Sequence, residues 1–181
     1  TDLVPATNFT LMWPETRYGN KIPRKYETIA YLGYDHSAIY VGAVLKHPNP
    51  DKMPKEFSQR DEIWNVNAET FFVTFNTYND DLNFFGFQIT SAGTVGDVYS
   101  SGSIDSDDFL YDTVFDAKTH VSSDSWSVEM AIPYSAIRFP EREKQLWGLN
   151  FGRKIQNLDE TFVWSPVNVN ELEYHESNGT L

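Results

Sequence analysis

The chain lacks several features that would direct its fold or its partners. It contains no cysteine, which excludes disulfide bonds and thiolate metal sites. Positive charge is scarce, because 14 Lys and Arg stand against 26 Asp and Glu, and the net charge of -12 disfavours binding to nucleic acid or to anionic lipid surfaces. No apolar run approaches the roughly 20 residues that a membrane-spanning helix needs. The composition is typical of an acidic globular domain.

Aromatic residues and short apolar runs are abundant instead. The 181 residues are 40% hydrophobic and 15% aromatic, which is enough for the core of one domain. Nine short segments are rich in β-branched and aromatic residues and are separated by turn signals. They cover residues 27–34, 37–47, 69–78, 83–90, 95–100, 111–121, 125–132, 145–155 and 161–164.

One of these segments shows the strand pattern most clearly. Trp126, Val128, Met130 and Ile132 alternate with small or polar residues, which is the period of a strand with one buried face. Pro133 cannot donate to a strand ladder, so the strand should end there. The whole pattern predicts an all-β fold. We expect an antiparallel β-sandwich of two sheets, jelly-roll-like or immunoglobulin-like, with one short helical turn at 134–139.

The sequence also predicts how the domain is organised. Residues 1–181 are expected to form a single domain cut from a larger protein, and residues 1–26 to form an irregular amino-terminal segment. Residues 50–67 are polar and are expected to form a long loop. Loops of this length inside a compact domain are often functional.

Several motifs in fixed order carry a family resemblance. They lie at 31–35, 39–42, 75–80, 87–93 with Asp97, 126–139, 147–153 and 160–164. Together they resemble family 9 carbohydrate-binding modules, which are DOMON-like sandwiches. More narrowly, they resemble the amino-terminal module of Bacteroidetes surface proteins, in which the module precedes an outer-membrane β-barrel region. The resemblance implies sugar binding, a secreted, cell-surface or outer-membrane location, and structural calcium.

Candidate sugar-binding residues follow from the chemistry of a pyranose ring. Its apolar face packs on an aromatic ring, and its hydroxyls need fixed donors and acceptors. Trp64 lies in the polar loop, and Trp164 lies near a strand end just before a proline. We expect each to be either an exposed stacking platform or an anchor in the core.

Strand parity suggests the polar partners. Asn76, Gln88 and Asn150 share one strand face with several glycines, which would make either a shallow groove or an ordinary solvated face. Arg153 falls on the apolar parity, so it needs a partner, and Glu69 or Glu160 are candidates. A structural ion pair and a ligand contact are both open for Arg153.

A cation site is the next expectation. Asp80, Asp97, Asp105 and Asp107 supply the oxygen ligands that calcium prefers, and the family resemblance adds weight to structural calcium. The alternative is a solvated acidic loop. Asn76 stands where the family motif has aspartate, which weakens a cation site near the hairpin turn.

The sequence therefore predicts a monomeric, non-catalytic carbohydrate-binding module that binds a mono-, oligo- or polysaccharide and takes part in carbohydrate catabolism. It shows no nucleophile elbow, phosphate loop or zinc motif. An alternative is a structural or interaction domain, a plug or docking surface of an outer-membrane protein, that has lost sugar binding. A glycoside hydrolase domain would need two carboxylates converging in the groove and is less supported.

Overall fold

The structure, a computed structural model, describes residues 5–80, 82–101, 107–108, 110–165 and 179–180. In this part of the chain, strands form two antiparallel sheets. The strands are β1 (Thr10–Trp13), β2 (Thr28–Tyr34), β3 (Ala38–Lys46), β4 (Thr70–Asn76), β5 (Phe84–Thr90), β6 (Val95–Ser100), β7 (Asp107–Asp108), β8 (Asp116–Val121), β9 (Ser125–Pro133), β10 (Gly148–Ile155), β11 (Glu160–Val163) and β12 (Gly179–Thr180).

The two sheets differ in size. The large sheet has the order β1-β11-β10-β4-β5-β6-β7, with β12 pairing a further stretch of β10. The small sheet has the order β2-β3-β9-β8. The predicted two-sheet antiparallel β-sandwich is confirmed, and each of the nine predicted segments contains a strand.

The core lies between the sheets and follows the predicted parities. Phe71, Val73 and Phe75 of β4 alternate inward and join one continuous buried cluster. Trp126 of β9 reaches the same cluster from the small sheet and is fully buried. At about 25 cal/mol per Å² of apolar area removed from water, aromatic side chains that bury about 150–250 Å² each dominate the stability of such a core.

The amino-terminal segment is more regular than we predicted. Residues 10–13 form β1, which pairs with β11 at the edge of the large sheet. The short apolar run around Leu11 explains this, because Leu11 lies opposite Phe162 and both are buried. Helical structure also exceeds the single turn expected. Within the described residues, five 3-10 turns occur, including the predicted one, now at Tyr134–Ala136.

The long polar loop at 50–67 places Ile63 and Trp64 over the outer face of the large sheet, the side turned away from the core. Ile63 is buried, and its Cδ1 sits 2.7 Å from where a Cβ of Gly96 on β6 would be. The loop is tied to β6 by a hydrogen bond from the Asp97 N–H to Asp61 Oδ1 at 3.0 Å. None of the described helices is long and apolar enough to cross a membrane.

Candidate functional site

The outer face of the large sheet carries a row of residues from four neighbouring strands. Gly152 of β10 pairs with Phe72 of β4, Phe72 pairs with Gln88 of β5, and Gln88 pairs with Gly96 of β6. Phe72 points away from the core because its neighbours Phe71 and Val73 point into it. This row belongs to the face for which the sequence left a shallow groove and an ordinary solvated face as alternatives.

The groove itself is absent from this row. A Cβ at Gly152 would overlap the ring of Phe72, so the ring lies directly on the glycine backbone. A Cβ at Gly86, one row further along, would lie only 2.7 Å from Val98 Cγ1. The glycines accommodate large neighbouring side chains, so this part of the sheet forms no shallow open groove.

Trp64 is the exposed aromatic residue next to this row. Its side chain is 38% exposed, and its ring meets the Phe72 ring edge-on at a centroid distance of 5.9 Å. The Lys154 ammonium lies 3.5 Å from the Trp64 carbonyl oxygen. Phe72 therefore supports one side of the indole while more than a third of the residue stays open to solvent. An indole held in this way can act as a stacking platform.

Trp164 lies on the opposite side of the same sheet. Its ring centroid lies 5.9 Å from that of Phe151, which belongs to the core between the sheets. The backbone N–H of Trp164 donates to the Phe151 carbonyl at 2.9 Å. Trp64 lies over the outer face and Trp164 against the inner one. The structure therefore does not bring the two tryptophans together.

The three predicted amides are on the outer face but are buried, each with 5% exposure or less. Asn76 Oδ1 accepts the Asp80 N–H at 3.3 Å. Asn150 holds the chain beyond β11, because its amide exchanges two hydrogen bonds of 3.0 Å with the Ser165 backbone. Gln88 differs from both, since its Oε1 has no hydrogen-bond partner among the residues that the structure describes.

Arg153 lies inside the sandwich. It is fully buried, and its Nη2 donates to Glu69 Oε2 at 2.6 Å. Its Nη1 donates to the carbonyls of Tyr26 and Lys46, both at 2.9 Å. Of the two partners considered from the sequence, Glu69 is the one present. This position gives Arg153 a structural ion pair, so we leave it out of the proposed site.

The predicted calcium ligands do not converge among the described residues. Asp80 caps the β4–β5 turn by accepting the Leu82 and Asn83 N–H groups, each at 3.0 Å. Burial raises the pKa of Asp80, but these hydrogen bonds outweigh it and hold the pKa below its ordinary value. Asp107 is exposed on β7, and Asp105 lies outside the described residues.

Asp97, the fourth candidate, already has a cation beside it. The Arg60 guanidinium contacts its Oδ1, and Thr113 donates to its Oδ2 through N–H and hydroxyl at 2.7 and 2.9 Å. Arg60 Nε also lies 3.0 Å from Asp112 Oδ1. Within the described part of the chain, no group of three or more His, Asp or Glu side chains is arranged to hold a metal ion.

Sequence reasoning missed Phe72 and Lys154. Phe72 looked like one more core residue in an aromatic run, although its even position on β4 already placed it outside. Its contact with Gly152 depends on strand register between β4 and β10, which are more than seventy positions apart and which no local pattern reveals. Lys154 is seen only once the loop is folded over the sheet.

Comparisons with known proteins bear on the fold. No family model and no curated protein matches the chain. Among solved structures, it is similar to a candidate carbohydrate-binding protein from Bacteroides uniformis, with 16% identity, coverage of 99% of this chain and 85% of the other, and a TM-score of 0.72.

Two further similar structures are both of a family 9 carbohydrate-binding module from Caldicellulosiruptor kristjanssonii. The complex with cellotriose has 14% identity, coverage of 96% of this chain and 80% of the other, and a TM-score of 0.60. The complex with glucose has the same identity and TM-score and covers 81% of the other chain. The chain therefore has the fold of a family 9 carbohydrate-binding module.

Proposed function

We propose that this domain is a non-catalytic carbohydrate-binding module that binds a sugar on the outer face of the large sheet, with Trp64 as the stacking platform. The observation that carries the proposal is the half-exposed indole of Trp64 supported edge-on by Phe72. The fold shared with modules that were solved with cellotriose and with glucose supports the same class of ligand.

The polar groups near Trp64 fit the hydroxyl rim of a sugar. Lys154 brings ammonium donors to the backbone carbonyl of Trp64. Within the described part of the chain, Gln88 and Thr70 each carry a buried side-chain oxygen that has no hydrogen-bond partner, and both residues lie on the same outer face. A buried polar atom that stays unpaired costs about 1–3 kcal/mol, so a ligand hydroxyl that reaches one of them gains binding free energy.

A second candidate function has its own observation. The Phe72 ring covers Gly152, and the three amides of the outer face are buried. Such a filled face favours a structural or docking domain that keeps the sandwich and has lost sugar binding. The two functions differ in one measurable property, namely the affinity for soluble sugars.

Isothermal titration calorimetry with glucose, galactose, xylose and cello-oligosaccharides separates the two. Calorimetry is preferred to tryptophan fluorescence because replacing Trp64 also removes a reporter. We expect saturable binding at millimolar or lower concentration that is lost in Trp64→Ala. Binding should persist in Tyr34→Ala, which removes an exposed aromatic residue from the small sheet. Absence of binding to every sugar in wild type would favour the docking function.

The proposal extends to the setting of the domain. The family resemblance supports a monomeric module of a secreted, cell-surface or outer-membrane protein, followed by a membrane β-barrel region and acting in carbohydrate catabolism. It also supports structural calcium, which remains a prediction of the resemblance, because Asp80, Asp97 and Asp107 do not converge among the described residues. Thermal unfolding with calcium and with excess chelator tests the metal, since bound calcium raises the melting temperature.

A further inference from the structure

The edge of the large sheet holds a pocket that shares no lining residue with the proposed Trp64 platform. Its volume is about 350 Å³, and it lies where β1 and β11 meet the segment 17–23. Leu11 and Phe162, which face each other across the two strands, give it an apolar floor. Pockets for small molecules measure about 300–1,000 Å³, so this one suits a single small ring.

The pocket wall is held in place by the backbone. The Gly19 N–H donates to the Leu11 carbonyl at 2.9 Å, and the Leu11 N–H donates to the Asn20 carbonyl at 2.7 Å. The Ile22 N–H donates to the Phe9 carbonyl at 2.9 Å. The segment thereby pairs with residues 9–11 around an isolated antiparallel bridge between Thr10 and Lys21, and these backbone hydrogen bonds fix its position.

The polar lining is cationic overall. Arg17 Nη1 pairs with Glu160 Oε1 at 2.5 Å, so these two charges cancel. Lys21 also lines the pocket, and no ion pair of its ammonium occurs in the described part of the chain, which leaves one positive charge. The Asn20 amide lines the pocket too and has no side-chain hydrogen bond to any described residue.

We propose that this pocket binds a small hydroxylated ring that carries a carboxylate, namely a uronic acid. Lys21 and the outer nitrogens of Arg17 take the carboxylate in charge-assisted hydrogen bonds. Asn20 and Glu160 take hydroxyls, and the apolar floor packs against the ring. In a protein with a net charge of -12, an anion is attracted only where cations are concentrated locally, and this lining supplies them. The site is independent of the Trp64 platform.

The test is titration of the domain with galacturonate and, separately, with galactose, followed by calorimetry and by amide chemical shifts. The two sugars differ in a carboxylate against a hydroxymethyl group, so the comparison isolates the charge. We expect saturable binding of galacturonate at this site, at least about tenfold tighter than that of galactose. Only galacturonate has a carboxylate that accepts charge-assisted hydrogen bonds from Lys21 and Arg17. The shifted amides should lie at residues 17–23 and at Glu160.

Variants separate this site from the Trp64 platform. Lys21→Gln should weaken galacturonate binding about tenfold. Lys118→Gln changes the net charge equally on exposed β8 and should leave binding unchanged, as should Trp64→Ala. The proposal is overturned if galacturonate does not bind, if its shifts centre on Trp64, or if Lys21→Gln and Lys118→Gln bind alike. None of these results decides whether neutral sugars bind at Trp64.

Discussion

Arg153 and Glu69 form an ion pair in the interior of the sandwich, with Nη2 and Oε2 2.6 Å apart and both side chains fully buried. Glu69 Oε2 also accepts the Trp126 indole N–H at 3.3 Å, and Glu69 Oε1 lies 3.5 Å from His47 Nε2. Arg153 comes from the large sheet and Trp126 from the small one. The pair therefore connects the two layers through charged hydrogen bonds as well as through apolar packing.

Removing one member of this pair should destabilise the domain strongly. Glu69→Gln leaves the Arg153 guanidinium buried without a counter-charge, which we expect to lower the free energy of unfolding by about 3–5 kcal/mol. Urea denaturation measures it. Glu27→Gln is the matched control, because Glu27 pairs with Lys46 at 2.6 Å on the exposed surface, where solvent screens the charges. Equal losses in the two variants would contradict the structural role of the buried pair.

The free energy of unfolding should decrease as the pH is lowered, because of the titration of His47. Burial lowers the pKa of His47 below its ordinary value, the Glu69 carboxylate opposes this, and the Arg153 guanidinium adds to it. The Asn49 N–H donates to His47 Nδ1 at 3.1 Å, so that nitrogen carries no proton in the folded state. Below about pH 6.5 the unfolded chain binds a proton that the folded chain does not. Proton binding therefore stabilises the unfolded state and lowers the free energy of unfolding.

This pH dependence is measured as the free energy of unfolding at a series of values from 8 down to about 5. In wild type we expect it to be highest above the unfolded pKa of about 6.5 and to decline towards the lower folded pKa. His47→Gln should flatten the slope in this window. An unchanged slope in the variant would assign the effect to other groups.

The contact of Phe72 with Gly152 should make substitution of that glycine destabilising. A Cβ at Gly152 would overlap the Phe72 ring, so Gly152→Ala forces the ring off its site and should cost about 1–3 kcal/mol. Gly42→Ala on β3 is the control, since its Cβ would meet only the Val128 carbonyl oxygen at 3.9 Å. Combining Gly152→Ala with Phe72→Ala should recover part of the loss, and strict additivity would argue against the contact.

Arg60 should hold the polar loop on the sheet. Its Nη2 contacts Asp97 and donates to the Thr113 carbonyl at 2.7 Å, and its guanidinium lies 5.6 Å from the Phe115 ring centroid. Arg60→Ala leaves the buried Asp97 without its cation, and we expect a loss of about 2–4 kcal/mol and faster proteolysis within residues 50–67. Arg60→Ala with Asp97→Asn should be less harmful than Arg60→Ala alone. A double variant as unstable as the single one would speak against the ion pair.

Much of the fold could be predicted because strand periodicity is local. The alternation of Trp126, Val128, Met130 and Ile132 requires one buried face, and all four are buried. β1 was missed because Leu11 is the one buried residue of this four-residue strand, and its burial depends on Phe162 across the edge of the sheet. Short edge strands have little local signal.

The candidate site was harder to predict because it depends on packing between distant segments. The sequence places Trp64 in the polar loop and Trp164 near a strand end and leaves platform and core anchor open for both. In the structure, Trp64 packs on outer Phe72 and Trp164 on inner Phe151. Asn76, Gln88 and Asn150 have the predicted parity, but parity does not reveal what covers a face.

The sequence by itself determined the all-β character, the positions of the nine predicted strands and which of their side chains face the core, because hydrophobic alternation with a period of two has one low-energy solution. It also required a partner for Arg153, because a charge on a buried face must be compensated. Only the tertiary structure decided that the partner is Glu69, that Phe72 fills the space over Gly152, and that residues 17–23 close a cationic pocket against β1. Each of these depends on register and on loop placement, which are set by the free energy of the whole packed chain.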